Sequence, residues 1–454
     1  MPLYARPILF LAAVVLWAQP GRQTTQNDGL SHALPISLKR AVEIAISPEG
    51  SASVQLSQEA EKQAESRSAQ ARAALLPNVD SQFVAQNRTM NLATLGIGFG
   101  QLIPIPGIQI PTFVGPFTTI DARLSGSQTV FDFSSIRRYQ ASRSGIGAAR
   151  SDVDRTQEQV AAQVARAYLL AERADADVEA AEANVQLSQA VLTQAEHQKE
   201  AGVGTGLEIT RAKVQLANDQ QRLLEAQNNR RAARLRLLRA MGMRLDTELQ
   251  LTDKLQYTPV DAMTVEEAQG QAVKTRPDLK AQQERESNAR LSASATKLER
   301  LPSVSAFGDY GAIGTGLDNA VPTRTYGVSL RVPIFDGGRR DARRAESASQ
   351  LRSERVRTND LKEQVELDVR LALDALRSAD DQVKVAQEGL ELAGAELAQA
   401  RRRYDAGVGT SLEVTDAQTR LERARDNQIQ ALYRHGVARI DLAESMGRVR
   451  TTVQ

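Results

Sequence analysis

The chain contains one sequence motif twice, at a fixed separation. Residues 201–242 and 406–447 align without a gap at an offset of 205, and 16 of the 42 aligned positions are identical. The identical positions include Ala-Gly-Val-Gly-Thr at 201–205 and 406–410, and Met-Gly at 241–242 and 446–447. Chance does not produce such a match, so the two halves of the chain are expected to fold alike.

Upstream of each motif copy, small apolar residues recur at alternating steps of four and three. This spacing predicts a coiled-coil seam built largely from Ala and Val. Since no Pro interrupts residues 135–201, we expect a helix about 100 Å long there. A long coiled coil without a pore fits this pattern equally well. The two series are Val160, Val164, Ala167, Ala171, Ala174, Val178, Ala181, Val185, Ser188, Leu192 and Ala195, and Val365, Val369, Ala372, Leu376, Ala379, Val383, Ala386, Leu390, Ala393, Leu397 and Ala400.

Each long helix is expected to end at the repeated glycines, because glycine tolerates the left-handed backbone of a helix C-terminus. A second helix follows at about 207–241 and 412–446, so each half is predicted to form a helical hairpin. The tips are Gly202, Val203, Gly204 and Thr205 in the first half, and Gly407, Val408, Gly409 and Thr410 in the second. They are either tight turns alone or a docking surface for a partner hairpin, and turn chemistry by itself favours the first interpretation.

Between the helices the hydrophobic period changes to two, which predicts strands. The clearest segment, 323–335, places Tyr326, Val328 and Leu330 on one face and Thr325 and Ser329 on the other. Its counterpart is 118–131, and weaker alternation predicts strands at 78–91 and 303–313. Each half therefore supplies a two-stranded hairpin, the first with a long loop at 92–116 and the second with a shorter one at 314–322.

Strands of about ten residues with one apolar face are typical of transmembrane β-barrels. The alternative is a four-stranded sheet in a small soluble domain with a helix on its apolar face, but the flanking helices are too polar and too long for that. Four strands cannot close a barrel, and an open edge in lipid leaves backbone groups unpaired. Two copies of the chain would supply eight strands and three copies twelve. The count does not choose between them.

The N-terminus predicts a secretory signal peptide at residues 1–20. Arg6 precedes eleven apolar residues, 8–18, and Gln19-Pro20-Gly21 follow. Eleven residues are too few to cross a bilayer as a helix. We expect cleavage near Ala18 or Gly21, and a mature chain that can enter a membrane only as strands.

Composition argues against enzymatic and nucleic-acid functions. The chain has no cysteine, which excludes disulfides, thiolate metal sites and a lipid anchor on an N-terminal Cys. A net charge of +2 offers little attraction for nucleic acid. The histidines at 32, 197 and 435 are scattered, and no metal-ligand or nucleophile–base spacing occurs, so neither cofactor nor catalysis is expected. The tip glycines follow helices, whereas a phosphate-binding loop follows a strand.

Four motifs in order resemble the TolC-type outer-membrane efflux proteins, over nearly the whole mature chain. Residues 332–339, Val-Pro-Ile-Phe-Asp-Gly-Gly-Arg, resemble the family's strand-to-helix junction. Residues 275–279, Thr-Arg-Pro-Asp-Leu, resemble its second-repeat signature, residues 409–418 its tip helix and residues 38–45 its opening helix. The first half departs from the pattern: residues 131–134 lack the paired glycines of the junction, and Ser47-Pro48-Glu49 is an imperfect first-repeat motif.

The resemblance implies a homotrimer with one twelve-stranded barrel in the outer membrane and an α-helical tunnel in the periplasm. It implies the channel of a tripartite efflux or type I secretion system, which passively conducts substrates delivered by a periplasmic adaptor and an inner-membrane pump. Acidic residues at the positions of Glu413 and Asp416 narrow the periplasmic entrance in the family; the first-half equivalents are Glu208 and Arg211. The hairpin tips receive the adaptor.

The resulting domain prediction has six parts. A signal peptide (1–20) and a flexible segment (21–36) precede the first repeat (37–242), a linker (243–263), the second repeat (264–447) and a C-terminal tail (448–454). Two alternatives remain: a periplasmic adaptor, which would carry one hairpin and lipoyl-like modules, and a coiled-coil structural protein of the envelope without a pore.

Overall fold

A computed structural model describes residues 34–95, 113–202, 204–259 and 263–453. The predicted signal peptide, residues 21–33, most of the predicted loop 92–116 and the tip residue Val203 lie outside these ranges. The elements are β1 (Leu34–Ile36), α1 (Leu38–Ile46), α2 (Ala52–Ala73), β2 (Asn78–Asn91), a 3₁₀ turn (Leu92–Leu95), β3 (Phe113–Phe131), α3 (Phe133–Glu200), α4 (Gly206–Met241), β4 (Leu249–Leu251), α5 (Val265–Thr275), α6 (Pro277–Leu298), β5 (Ser303–Gly314), β6 (Val321–Arg331), α7 (Arg339–Asp405), α8 (Ser411–Ser445) and α9 (Val449–Thr452).

The four long strands form one antiparallel sheet in the order β2-β3-β5-β6. The two halves of the chain meet where β3 pairs with β5, in a register that sets Ser125 opposite Asp309. β2 and β6 are the edges of the sheet. Each edge therefore presents one row of backbone groups that no strand among the described residues pairs with.

The sheet is amphipathic, in agreement with the predicted alternation. On one face Arg123 forms ion pairs with Asp121 and Asp309. The other face carries exposed apolar side chains, among them Phe83 and Tyr326, which are 64% and 80% exposed. Apolar side chains in such numbers are not normally left in water, so this face requires an apolar surrounding.

Two predicted strand limits were wrong. β6 ends at Arg331 and not at Phe335, because Pro333 has no N–H to continue the ladder. β3 begins at Phe113, five residues before the predicted start. Bulges interrupt the register of β3 against both of its neighbours.

The two junctions between sheet and long helix differ. β3 is joined to α3 by Asp132 alone, whose carboxylate caps the helix by accepting from the Ser134 N–H at 2.9 Å. β6 is joined to α7 by the segment 332–338, which ends in two glycines with left-handed backbones, Gly337 at φ +69° and Gly338 at φ +84°. Only glycine adopts two such conformations in succession without strain.

The helices lie side by side in two tiers. Near the sheet the neighbours follow the order α2, α3, α6, α7, and further away they follow α4, α3, α8, α7. All 22 predicted seam positions are buried or half-buried, which confirms the predicted coiled-coil seams. No helix within the described ranges is both long and apolar enough to cross a membrane.

Where the two tiers meet, short elements pack against α3. β1 pairs in parallel with β4 to form a two-stranded ribbon. Ile36, the last residue of β1, is buried in the same core cluster as Tyr168 of α3. Leu34–Ile36 thus form a strand inside the segment predicted as flexible, and the predicted linker contains β4. β1 forms because Ile36, which is 1% exposed, is stabilised by burial of its apolar side chain in the core.

Candidate functional site: the two hairpin tips

The two tips have the same backbone. In the first, α3 ends at Glu200, Gly202 has a φ of +78°, and Thr205 caps the start of α4. In the second, α7 ends at Asp405, Gly407 has a φ of +72°, and Thr410 caps the start of α8. The left-handed backbone explains why both positions hold glycine, since other residues are strained there by about 1–2 kcal/mol.

The second glycine of each tip is required for a different reason. A Cβ atom on Gly204 would lie 2.8 Å from the Lys199 backbone nitrogen, and one on Gly409 would lie 3.0 Å from the Tyr404 backbone nitrogen. All four glycines therefore shape the turns. Any recognition by the tips must come from the neighbouring side chains.

The two equivalent glutamates of the tips have different partners. Glu208 accepts from the Thr205 N–H at 3.0 Å while Thr205 Oγ1 accepts from the Glu208 N–H, which completes a capping box. Glu413 instead forms an ion pair with Arg403 Nε at 3.3 Å. The residue equivalent to Arg403 is Gln198, which carries no charge to attract Glu208.

The predicted constriction residues thus lie in three different environments. Glu208 is half-buried and holds its own helix start, whereas Glu413 is exposed and paired with a cation. Asp416 is exposed and has no side-chain partner in the described part of the chain. Its first-half equivalent, Arg211, is also exposed and unpaired there. Of the three carboxylates, Asp416 keeps the most uncompensated charge.

The two tips are joined to each other by hydrogen bonds that the sequence did not reveal. Tyr404 Oη donates to Gln198 Oε1 at 2.5 Å, and Gln194 Nε2 donates to Asp405 Oδ1 at 2.5 Å. Burial, together with Glu208 and Asp405 nearby, raises the pKa of Tyr404, so its hydroxyl stays a donor. Both bonds run from the first hairpin to the second.

Three exposed apolar side chains surround the tips. Val408 is 69% exposed, and Leu207 and Leu412, each one position after a helix start, are 58% and 53% exposed. Val408 is among the predicted tip residues, whereas the two leucines are not. An apolar residue in the exposed first turn of a helix, repeated in both halves, is the signal that could have identified them.

No group of three or more His, Asp or Glu residues in the described ranges is arranged to hold a metal ion.

Comparison with known proteins agrees with this architecture. The family model described as "Outer membrane efflux protein" matches residues 48–243 and 269–448, which cover most of both repeats. Among curated proteins, the chain is 26% identical over 339 residues to the pyoverdine export outer membrane protein OpmQ of Pseudomonas putida, covering 73% of this chain and 71% of OpmQ. It is 23% identical over 321 residues to the alkaline protease secretion protein AprF of Pseudomonas aeruginosa, covering 68% and 66%.

Solved structures share the fold. The CmeC outer membrane channel of Campylobacter jejuni superposes with a TM-score of 0.77 at 17% identity, covering 90% of this chain and 85% of CmeC. The outer membrane protein VceC of Vibrio cholerae gives 0.76 at 18% identity, covering 90% and 96%.

Members of this family are outer-membrane channels and not enzymes, which rules out the adaptor and the poreless coiled coil as alternatives. Since the family model spans more than half of the chain, this chain belongs to the outer membrane efflux protein family, as an efflux or secretion channel of the outer membrane.

Proposed function

We propose that three copies of the chain close head to tail into one channel, a barrel of twelve strands continued by a helical tunnel. One observation carries this proposal: the unpartnered edges of the four-stranded sheet and of the two helical tiers lie on two opposite sides. On one side the outermost elements are β2, α2 and α4. On the other side they are β6 and α7. A contact between unlike sides repeats around a ring until it closes.

The exposed apolar residues of the edge helices support the same contact. α7 carries a second stripe, separate from its buried seam, with Leu367, Leu371, Val385 and Leu392 between 49% and 70% exposed. α4 carries Leu207, Val214, Leu224 and Leu235, between 41% and 67% exposed. Both stripes follow heptad spacing, so they fit a coiled coil between neighbouring copies. The number of copies, three, comes from the family resemblance.

Cross-linking tests the ring. Leu224 and Val385 lie at nearly equal distances along the chain from their respective tips. Because the chain has no cysteine, the double variant Leu224→Cys with Val385→Cys offers two thiols per copy to a bis-maleimide. We expect a covalent species of three chains on a denaturing gel. Each single variant is the control and should give at most pairs; a double variant that stops at two chains contradicts the ring.

The channel is passive in this proposal, and a periplasmic adaptor connects it to an inner-membrane pump. The named relatives export pyoverdine and secrete a protease, so they do not choose between small molecules and polypeptides as the cargo here. Outer membrane lipid surrounds the apolar face of the strands.

Residues 202–205 and 407–410 are the proposed adaptor-docking tips. Substituting the glycines would test the turns and not the docking, so the informative position is the exposed Val408. In cells, Val408→Cys should cross-link to a co-expressed adaptor through a thiol-reactive photoprobe. The matched control is Glu65→Cys, which is exposed on α2 far from the tips. Equal cross-linking from both positions contradicts docking at the tips.

Glu413 and Asp416, with Glu208, are the proposed constriction. In a trimer they would set rings of carboxylates around the entrance, where they attract cations and repel anions. Planar-bilayer recordings test this. Asp416→Asn together with Glu413→Gln should reduce the cation-to-anion permeability ratio, whereas Glu65→Gln should leave it unchanged. An unchanged ratio in the double variant contradicts the assignment.

A further inference from the structure

The second repeat contains a cavity of about 440 Å³ where α7 and α8 pass below the start of α5. Its walls are mainly apolar, with Leu373, Leu376, Leu442 and Met263 among them, and three of its polar members are Arg439, His435 and Asp380. We call it the second-repeat cavity. A volume of this size accommodates a small organic molecule.

The duplicated chain supplies an internal reference for this cavity. The residues equivalent to Leu373, Asp380 and Arg439 are Tyr168, Asp175 and Arg234, each 205 positions earlier. In the first repeat Tyr168 fills the space, with its hydroxyl donating to the Ile36 carbonyl at 2.9 Å. Arg234 donates to Asp175 at 2.8 Å. In that region Tyr168 is fully buried, and the arginine equivalent to Arg439 is paired.

In the second repeat the equivalent residues, Asp380 and Arg439, do not form an ion pair. Asp380 accepts from Tyr257 Oη at 2.5 Å and forms an ion pair with Lys384 Nζ at 2.7 Å. Lys384 has no counterpart of its type in the first repeat, since position 179 holds Glu. Arg439 is half-buried and has no hydrogen bond or ion pair within the described residues.

His435 is the second donor without a partner. Its side chain is 1% exposed, and its Nε2 atom makes no hydrogen bond to the described chain. The nearest carboxylate oxygen, Asp380 Oδ1, is 3.9 Å away and already engaged by Tyr257. Because Nε2 is fully buried, a ligand in the cavity does not reach it; the unpaired charge that lines the cavity is that of Arg439, and a guanidinium without a partner in a mainly apolar wall is unfavourable.

We propose that the second-repeat cavity binds an organic anion, a carboxylate or sulfonate on an apolar body. Arg439 pairs with the acid group, and the leucines hold the apolar body. Arg377, which also lines the cavity and whose only partner in the described part of the chain is Asp374 at 3.7 Å, adds to the positive potential. Asp380 does not repel the ligand strongly, because Lys384 and Tyr257 compensate its charge.

Binding is tested on the full-length protein in lipid nanodiscs, with para-trifluoromethyl benzoate as the probe and fluorine NMR as the readout. Empty nanodiscs measure partition into lipid. We expect saturable binding with one site per chain. The amide of the same acid has the same shape but no charge, and it should bind at least about tenfold more weakly.

Two variants locate the site. Arg439→Gln should weaken benzoate binding by about tenfold or more, whereas Arg434→Gln, an exposed arginine on the same helix outside the cavity, should leave binding unchanged. Leu373→Tyr copies the first repeat and should abolish binding by filling the cavity. If Leu373→Tyr does not fold, Arg439→Gln decides alone.

Three results would overturn the proposal: no binding above empty nanodiscs, equal binding of the acid and the amide, or unchanged binding in Arg439→Gln. Each is independent of the channel assignment, because binding is measured without transport.

Discussion

In the first repeat, Tyr168 fills the core next to the β1–β4 ribbon, and Arg234 pairs with Asp175. In the second repeat, the equivalent Leu373, Asp380 and Arg439 surround a cavity that no such ribbon covers among the described residues. At the tips, Glu208 holds its own helix start while Glu413 pairs with Arg403. The duplication preserved the backbone and changed the partners of the charged side chains. Equivalent positions therefore cannot be assumed to have equivalent roles.

The largest expected effect concerns Glu172, whose second-repeat equivalent is Arg377. Burial, together with Asp253 and Asp175, raises the pKa of Glu172 to about 7. Folding then favours its neutral form, so stability is lost as pH rises from about 4.5 toward 7. Glu172→Gln should increase the free energy of unfolding at pH 8 by on the order of 2 kcal/mol, and by almost nothing at pH 4.

Guanidinium unfolding of the helical circular dichroism signal at both pH values measures this difference. Glu65→Gln, at an exposed position, is the control and should change neither. An equal gain at pH 4 and pH 8 would mean that ionisation of Glu172 is not the cause.

The second prediction compares the two equivalent arginines. Arg234→Gln removes the partner of Asp175, and since both side chains are about one-third exposed, we expect a loss of roughly 1 kcal/mol. Arg439→Gln removes no ion pair and should leave stability unchanged or raise it. The same denaturation experiment applies. Equal losses in the two variants would show that Arg439 has a stabilising partner.

The third prediction concerns the hydrogen bond between the tips. Tyr404→Phe removes the donor to Gln198 and should favour separation of the hairpins by about 1 kcal/mol. Single-channel conductance in planar bilayers should rise or show more frequent open events. Gln198→Ala should act in the same direction, and the double variant should add little. Additive effects would mean that the two residues do not act through this bond.

The smallest effect is expected from the exposed pair at the second tip. Arg403→Gln frees Glu413, and exposed pairs contribute only about 0.2–1 kcal/mol. The cation-to-anion permeability ratio should rise modestly, opposite to the effect of Asp416→Asn. The first-tip variant Gln198→Arg supplies a competing partner for Glu208 and should lower the ratio. A lower cation-to-anion permeability ratio in Arg403→Gln would mean that Glu413 does not lie on the permeation path.

Periodicity was sufficient to predict the helical seams and the amphipathic strands, because both depend on residues close in sequence. The tip turns could be predicted for the same reason, since each turn is made by its own glycines. β1 could not, because three residues are too short for a period and its partner β4 lies more than 200 positions away.

The contacts that distinguish the two tips could not be predicted either. Whether Glu413 caps its helix or pairs with Arg403 depends on how far two antiparallel helices have turned about each other. The second-repeat cavity exists because no strand ribbon covers it among the described residues. Hydrophobic periodicity does not indicate which distant segments pack against a helix. His435 lies in a helix rich in charged residues, and it is buried because Tyr257 of the distant linker packs against its ring.

The two junctions below the sheet have a mechanical consequence. α3 continues from its strand through one residue, Asp132, so tilting the strand must tilt the rod. α7 is joined to its strand by the segment 332–338, which ends in two glycines with left-handed backbones, so the direction of α7 is not fixed by the direction of β6. The orientation of α3 is therefore set by its strand, whereas the orientation of α7 is set by the helices packed against it. In the proposed channel, a change in the tilt of α7 would be absorbed at Gly337 and Gly338 before it reached β6.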